Sequence, residues 1–149
     1  MALERLIRRE TRASTVINAV LSAVFFLAVF GTQARFLSFG APDQLARDFL
    51  PQGGVIALMA TLVPALLVRK AWRRQGHAGP ATGVILAQAA RSVATGLTVS
   101  AVLMAICLYG PATGVNWVAA FVAKVMFGGL LGATITRWSL RRLFGQEQG

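Results

Sequence analysis

The sequence has few of the side chains that carry catalysis or bind metals. It contains one cysteine, one histidine and five acidic residues among 149. A zinc site takes three or four Cys, His or carboxylate ligands, and a disulfide takes two cysteines. Cys107 and His77 can therefore build neither within the chain. We expect no metal, no cofactor and no internal disulfide.

Charge is also scarce, and nearly all of it has one sign. Only 13% of the residues are charged, whereas about 25% is usual in a soluble domain. Lysine and arginine outnumber the acidic residues 15 to 5, and 56% of the residues are hydrophobic. The mean hydropathy is +0.63. This composition predicts an integral membrane protein.

Four stretches are long and apolar enough to cross a bilayer, which takes about 20 residues per helix. They cover approximately residues 14–31, 50–68, 90–109 and 115–136. The last two are separated by a break at Gly110–Gly114 that contains Pro111. The helical pattern of the third begins earlier, at Thr82. We predict an all-α bundle of four transmembrane helices, forming a single membrane domain over residues 1–149.

The basic residues indicate the orientation of this bundle. Twelve of the 15 lie in three clusters next to the spans: Arg5, Arg8, Arg9 and Arg12; Arg69, Lys70, Arg73, Arg74 and Arg91; Arg137, Arg141 and Arg142. With four spans, all three clusters lie on one side of the membrane. Basic residues in short loops stay in the cytoplasm, so we expect a bacterial inner-membrane protein with both termini cytoplasmic.

The same arginines explain the high isoelectric point, near 11.8, without nucleic acid. Basic side chains directly beside a span contact the anionic headgroups of membrane lipids. We therefore expect anionic lipids as partners, and no nucleic acid.

The two halves of the chain resemble each other. Ser14 and the triplet Ser22-Ala23-Val24 recur 78 positions later, at Ser92 and Ser100-Ala101-Val102. A shift of 68 positions lays Ala60–Arg74 over Gly128–Arg142. This pattern indicates two duplicated helical hairpins in parallel orientation. Chance similarity among small apolar residues is the alternative.

Lys124 is the one ionisable residue well inside a span. An intramembrane charge is costly and so suggests function, here an anion-attracting site near a pore. Alternatively, Lys124 extends to the membrane surface or forms an ion pair with Asp43 or Asp48. The third helix either projects from the membrane or lies tilted with Arg91 partly buried, and in the tilted case Arg91 is a further candidate for a pore or ion pair.

Small residues indicate close helix contacts. Gly128 and Gly132 lie four apart on the last span, and Ser92, Gly96 and Ser100 repeat that spacing on the third. Such stripes let two backbones approach, so we expect these two helices to present complementary faces, within the bundle or between subunits.

Aromatic residues lie near both predicted membrane surfaces, where they typically anchor helices. We expect this role for Trp72 and Trp138 at the basic end, and for Tyr109 and Trp117 at the other end.

No carboxylate and no histidine lies inside a span. This excludes intramembrane proteolysis by an aspartyl or Ser–His pair, and a carboxylate proton relay. We expect no enzymatic activity. The favoured hypothesis is an accessory or structural subunit that packs with itself or within a larger membrane complex. The alternative is an oligomeric channel or transporter for an anion or a small neutral solute.

Overall fold

The fold is a bundle of four helices, seen in a computed structural model that describes residues 2–145. The helices are α1 (Ala2–Phe30), α2 (Phe49–Arg74), α3 (Thr82–Tyr109) and α4 (Trp117–Phe144). Each is long and apolar enough to cross a membrane. The predicted class, an all-α four-helix membrane bundle, is confirmed.

The helices extend beyond the predicted spans, mainly at the end that carries the basic clusters. The 29 residues of α1 measure about 43 Å, whereas the hydrocarbon core of a bilayer is about 30 Å thick. At this basic end, Leu3, Ile7, Trp72 and Phe144 pack into a buried core like that of a soluble protein. The bundle is therefore long enough to project past the hydrocarbon at its basic end. The start of α3 at Thr82 is as predicted.

Two antiparallel helix pairs build the bundle. α1 packs mainly against α4, and α2 packs mainly against α3. α2 and α4 are each the second helix of a hairpin and run parallel to each other, and they are in contact, with the hydroxyls of Thr61 and Ser139 3.1 Å apart. α3 and α4 touch little. All three basic clusters consequently lie at the same end.

The buried positions of the two halves correspond. Those of α1 recur in α3 with an offset of 78 residues, in the pairs Ile7 and Ile85, Glu10 and Gln88, Ser14 and Ser92, Asn18 and Gly96, Ser22 and Ser100. Those of α2 recur in α4 with an offset of 75, in the pairs Phe49 and Lys124, Gly53 and Gly128, Ala57 and Gly132, Thr61 and Thr136, Val68 and Leu143. The arrangement has an approximate two-fold axis along the bundle.

The offset of 68 predicted for the second helices is therefore wrong by seven residues. Seven residues are close to two helical turns, so a shift of this size keeps the same face of the helix buried. With the offset of 75, the arginines that suggested the alignment do not occupy equivalent positions in the two halves. A common origin of the two halves stays a prediction.

Two short strands join the halves at the end opposite the basic clusters. β1 (Phe36–Ser38) follows α1 and pairs antiparallel with β2 (Gly114–Asn116), which follows α3, with Leu37 opposite Val115. Leu37 is fully buried and packs with Phe26 and Phe30. Strands of three residues are too short for an alternating pattern, so the sequence does not predict them.

Candidate functional site

Lys124 forms a buried ion pair with Asp48. The lysine is 2% exposed on α4, and its Nζ lies 2.7 Å from Oδ2 of Asp48, the residue directly before α2. The ammonium also lies over the ring of Phe49, 4.1 Å from the centroid. A carboxylate at a helix N-terminus is favoured by the helix dipole. Lys124 thus points into the bundle, and Asp48 balances its charge.

Gln52 connects three helices beside this pair. Its Nε2 donates to Ser22 Oγ on α1 at 2.9 Å and to the backbone oxygen of Lys124 on α4 at 3.3 Å. Its Oε1 is buried and meets no hydrogen-bond partner among residues 2–145. A buried acceptor left without a donor costs free energy. The glutamine therefore offers a vacant hydrogen-bonding position.

A cavity of 130 Å³ lies between α1 and α2, with Lys124 of α4 at its side. Asn18, Ser22, Asp48 and Gln52 supply its other polar groups. Its walls are apolar and comprise Leu21, Phe25, Phe26, Val55, Ile56 and Met59. Several of these wall residues are about half exposed on the outer surface of the bundle. The cavity is therefore a lateral one, on the side that would face lipid.

Sequence reasoning missed Gln52 and Ser22 as part of this site. A signal was present, because Asp48 and Gln52 are four residues apart and four-residue spacing places two side chains on one helix face. Nothing in the sequence, however, showed which part of α1 would lie against this face of α2.

A second set of polar side chains is packed nearer the basic end. The Thr136 hydroxyl donates to the Ala60 carbonyl at 2.8 Å and lies 2.7 Å from Ser14 Oγ. The Ser139 hydroxyl lies 3.1 Å from those of both Thr61 and Ser92. Because these side chains are buried and hydrogen-bonded to one another, they link the helices.

Gly128 and Gly132 contact α1 rather than α3. A Cβ at Gly128 would overlap Ser22 Oγ and lie 2.9 Å from the backbone oxygen of Asn18. A Cβ at Gly132 would lie 2.6 Å from Asn18 Nδ2. The prediction that these glycines face the small residues of α3 is wrong, because α4 turns this face toward α1.

The small residues of α3 mostly serve a different contact. A Cβ at Gly96 would lie 2.6 Å from both Ala57 Cβ and the Gly53 backbone oxygen of α2. Ser100 is fully buried against Gly53, whereas Ser92 bonds to Ser139 of α4. Both stripes are thus used inside the bundle and leave no glycine face for a contact between subunits.

Arg91 lies apart from the Lys124 site. Its side chain is exposed on α3 near the basic end, so the expectation of a partly buried arginine is wrong. α3 packs on α2 through its other face, so Arg91 stays on the exposed side of the helix.

The predicted aromatic anchors differ in their surroundings. Trp72 is only 6% exposed and stacks on His77, with ring centroids 4.1 Å apart. It belongs to the buried core at the basic end. Its assignment as a membrane anchor is therefore wrong. Trp117 donates its indole N–H to the Gly31 carbonyl at 2.9 Å and packs against Phe26. Tyr109 and Trp138 are exposed, and their anchoring role stays a prediction.

Asp43 forms a separate polar cluster at the end with the strands. Its Oδ2 accepts the Ser38 amide at 2.9 Å, and its Oδ1 lies 2.7 Å from Arg35 Nη1. The hydrogen bond from the Ser38 backbone, followed by that from Arg35, lowers the pKa of Asp43 below its ordinary value. Asp48 and not Asp43 is therefore the partner of Lys124.

The described part of the chain, residues 2–145, contains no group of three or more Cys, His or acidic side chains that could hold a metal. Comparison with protein-family models, curated proteins and solved structures finds no match. The fold and the site together define the class: a multi-pass membrane protein with a buried Lys–Asp pair beside a lateral cavity.

Proposed function

We propose that the chain is a non-enzymatic protein of the bacterial inner membrane that acts as an accessory or structural subunit. In this proposal both termini face the cytoplasm, and the protein packs with itself or within a larger membrane complex. The observation that supports it most is the basic end of the bundle, where the three arginine clusters surround a rigid, packed core.

The basic end offers a surface for acidic partners. Arg69, Lys70, Arg73 and Arg74 follow one another along the last turns of α2 and line a groove with Leu66. Each lysine or arginine near an anionic membrane surface contributes about 1 kcal/mol of attraction. Such a groove suits the phosphate of a lipid headgroup, or acidic side chains of a neighbouring subunit.

The interior supports a structural role. The hydroxyls of Thr61 and Ser139 bond to each other, as do those of Thr136 and Ser14, and Asp48 neutralises Lys124. Nucleophilic catalysis requires a nucleophile next to a base that a third group orients. These four hydroxyls bond to other hydroxyls, and that of Thr136 also contacts a backbone carbonyl, so they hold helices together.

The alternative is an oligomeric channel or transporter for an anion or a small neutral solute. The cavity beside Lys124 favours it. The ion pair with Asp48 weakens it for anions, because a neutralised lysine attracts an anion little. A neutral solute fits this environment better.

Cross-linking in native membranes, combined with a flux assay, tests the proposal. We expect a discrete cross-linked species heavier than the 15.8 kDa chain, and no anion or solute flux above that of protein-free vesicles. A chain that stays monomeric at all cross-linker concentrations contradicts the accessory role. Flux that falls in Lys124→Ala supports the alternative.

Lipid retention tests the role of the basic groove. In native mass spectrometry, we expect Arg73→Gln/Arg74→Gln to retain less phosphatidylglycerol than the wild type. Arg35→Gln, at the opposite end, is the matched control and should retain the normal amount. Equal retention by all three proteins would contradict a headgroup site in this groove.

A further inference from the structure

The lateral cavity combines a polar side with an apolar entrance. The polar side is built from buried groups on two helices, Asn18 and Ser22 of α1 at 3% exposed and Lys124 of α4 at 2% exposed, together with the partly buried Gln52 of α2. The entrance lies between α1 and α2, which touch each other less than either touches its main partner. Small-molecule sites typically have this composition, with apolar walls and a few placed polar groups.

The hydrogen-bonding groups define what this cavity would accept. Gln52 Oε1 is a buried acceptor with no donor among the described residues. Lys124 has three N–H bonds, and Asp48 takes up one side of its ammonium group. A hydroxyl both donates one hydrogen bond and accepts others. One hydroxyl could therefore donate to Gln52 and accept from Lys124, and it would add no charge to a site that is already neutral.

The size of the cavity and its aromatic walls favour a ligand with an aromatic ring. The cavity measures 130 Å³, and a cavity of about 150 Å³ inside a protein holds benzene. Phe25 and Phe26 both line it, and aromatic rings pack favourably at offset or edge-to-face geometry. A six-membered aromatic ring with a hydroxyl group suits the polar groups, and because the cavity opens laterally between α1 and α2, the ring need not fit wholly inside it.

We propose that this cavity binds the hydroxyl-bearing aromatic ring of a membrane-soluble molecule, the chemistry of a phenol or a quinol. The ring enters from the lipid between α1 and α2, its hydroxyl donates to Gln52 Oε1, and any hydrocarbon tail stays between Val55, Met59 and the lipid. This inference goes beyond the accessory role and does not depend on it. It involves binding only, with no redox step.

Calorimetric titration of the detergent-solubilised full chain tests the proposal. The probe is a decyl-substituted benzoquinol, and its dimethyl ether is the matched ligand that cannot donate. We expect saturable one-to-one binding of the quinol and at least tenfold weaker binding of the ether. Quinol lacking the decyl tail tests the lipid source: we expect it to bind more weakly, and equal binding would contradict a membrane-soluble ligand.

Two variants locate the binding. Val55→Trp fills the entrance and should abolish binding, whereas Val63→Trp, on an exposed position of α2 outside the cavity, should bind normally. Gln52→Met should remove the preference for the quinol over the ether. Absence of saturable quinol binding, equal binding of quinol and ether to the wild type, or unchanged binding by Val55→Trp overturns the proposal. Helix content measured by circular dichroism verifies that each variant is folded.

Discussion

At the scale of single residues, the Lys124–Asp48 pair is the feature that most constrains the molecule. The ammonium is almost fully buried, whereas the Asp48 side chain is 28% exposed. Removing one partner therefore leaves the other in a different environment: Lys124 stays buried, and Asp48 stays partly exposed. A lysine without Asp48 is left inside the bundle with no counter-charge, whereas an aspartate without Lys124 still reaches solvent.

This difference predicts an asymmetric effect on stability. Asp48→Asn should lower the free energy of unfolding by about 3–5 kcal/mol, because it leaves a buried charge unpaired. Lys124→Met should cost less, about 1–3 kcal/mol. Thermal unfolding in detergent measures both. In the double variant Asp48→Asn/Lys124→Met, the loss in free energy of unfolding should be close to that of Lys124→Met alone.

An exposed ion pair provides the control. Arg141 Nη2 lies 3.6 Å from Glu4 Oε1, and both side chains are about half exposed. Arg141→Gln should change stability by no more than about 0.5 kcal/mol. If Asp48→Asn lowers the free energy of unfolding no more than Arg141→Gln does, the Lys124–Asp48 pair does not stabilise the bundle.

Asp43 predicts a pH dependence at the end with the strands. Its pKa in the folded protein is below the ordinary value of 3.8. Its stabilising contribution is therefore present above that value, and it is lost as the pH falls through the lowered pKa. We expect acid unfolding of the wild type below about pH 4 to be steeper than that of Asp43→Asn, measured by tryptophan fluorescence. Parallel acid transitions in the two proteins would contradict this role.

The sequence anticipates some residues of this site and not others. Lys124 was identifiable because a charge inside an apolar run is unusual, and Asp48 because it borders the next span. Gln52 was missed although its four-residue spacing from Asp48 was a signal, since a glutamine near a helix end is common. Only the packing of α1 against α2 brings Ser22 within reach of it.

At the scale of secondary-structure elements, the glycines determine how closely the helices pack. Gly128 and Gly53 occupy equivalent places in the two halves, each against a serine of the neighbouring helix. The close contact on α4 lies at Gly128, because a Cβ at the adjacent Gly129 would meet its nearest atom, Ala19 Cβ, at an ordinary 3.6 Å.

Alanine substitutions at the neighbouring positions Gly128 and Gly129 should therefore differ in their effect on stability. Gly128→Ala should lower the free energy of unfolding by about 1–3 kcal/mol, because the new methyl overlaps Ser22 and the Asn18 backbone. Gly129→Ala should be neutral or stabilising by up to about 1 kcal/mol, since alanine favours helix. Thermal unfolding in detergent distinguishes them. Equal effects would show that α1 and α4 are not in this close contact.

The sequence predicts the existence of the helices well and their pairing poorly. Runs of apolar residues identify each span, and Pro111 with its flanking glycines marks the break between α3 and α4. Spacing alone shows that Gly128 and Gly132 share a face. It does not show which helix that face meets, so α3 was expected where α1 is found.

At the scale of the whole molecule, the two halves are related by an approximate two-fold axis, and the function would depend on where they differ. Lys124 occupies the place that Phe49 has in the other half. The ion pair and the cavity with Gln52 consequently occur on one side of the axis. The symmetric parts build the bundle, and the asymmetric parts carry the chemistry proposed here.

The central claim is that the chain crosses the bilayer four times with all three basic clusters in the cytoplasm. Cysteine labelling tests it most directly. In a Cys107→Ala background, single cysteines replace His77, in the connection at the basic end, and Ala112, in the connection at the opposite end; both positions are exposed. A membrane-impermeant maleimide is applied to intact spheroplasts and to permeabilised ones.

We expect Ala112→Cys to be labelled in intact spheroplasts, and His77→Cys to be labelled only after permeabilisation. Labelling of both positions in intact spheroplasts, or the reverse pattern, would contradict this topology.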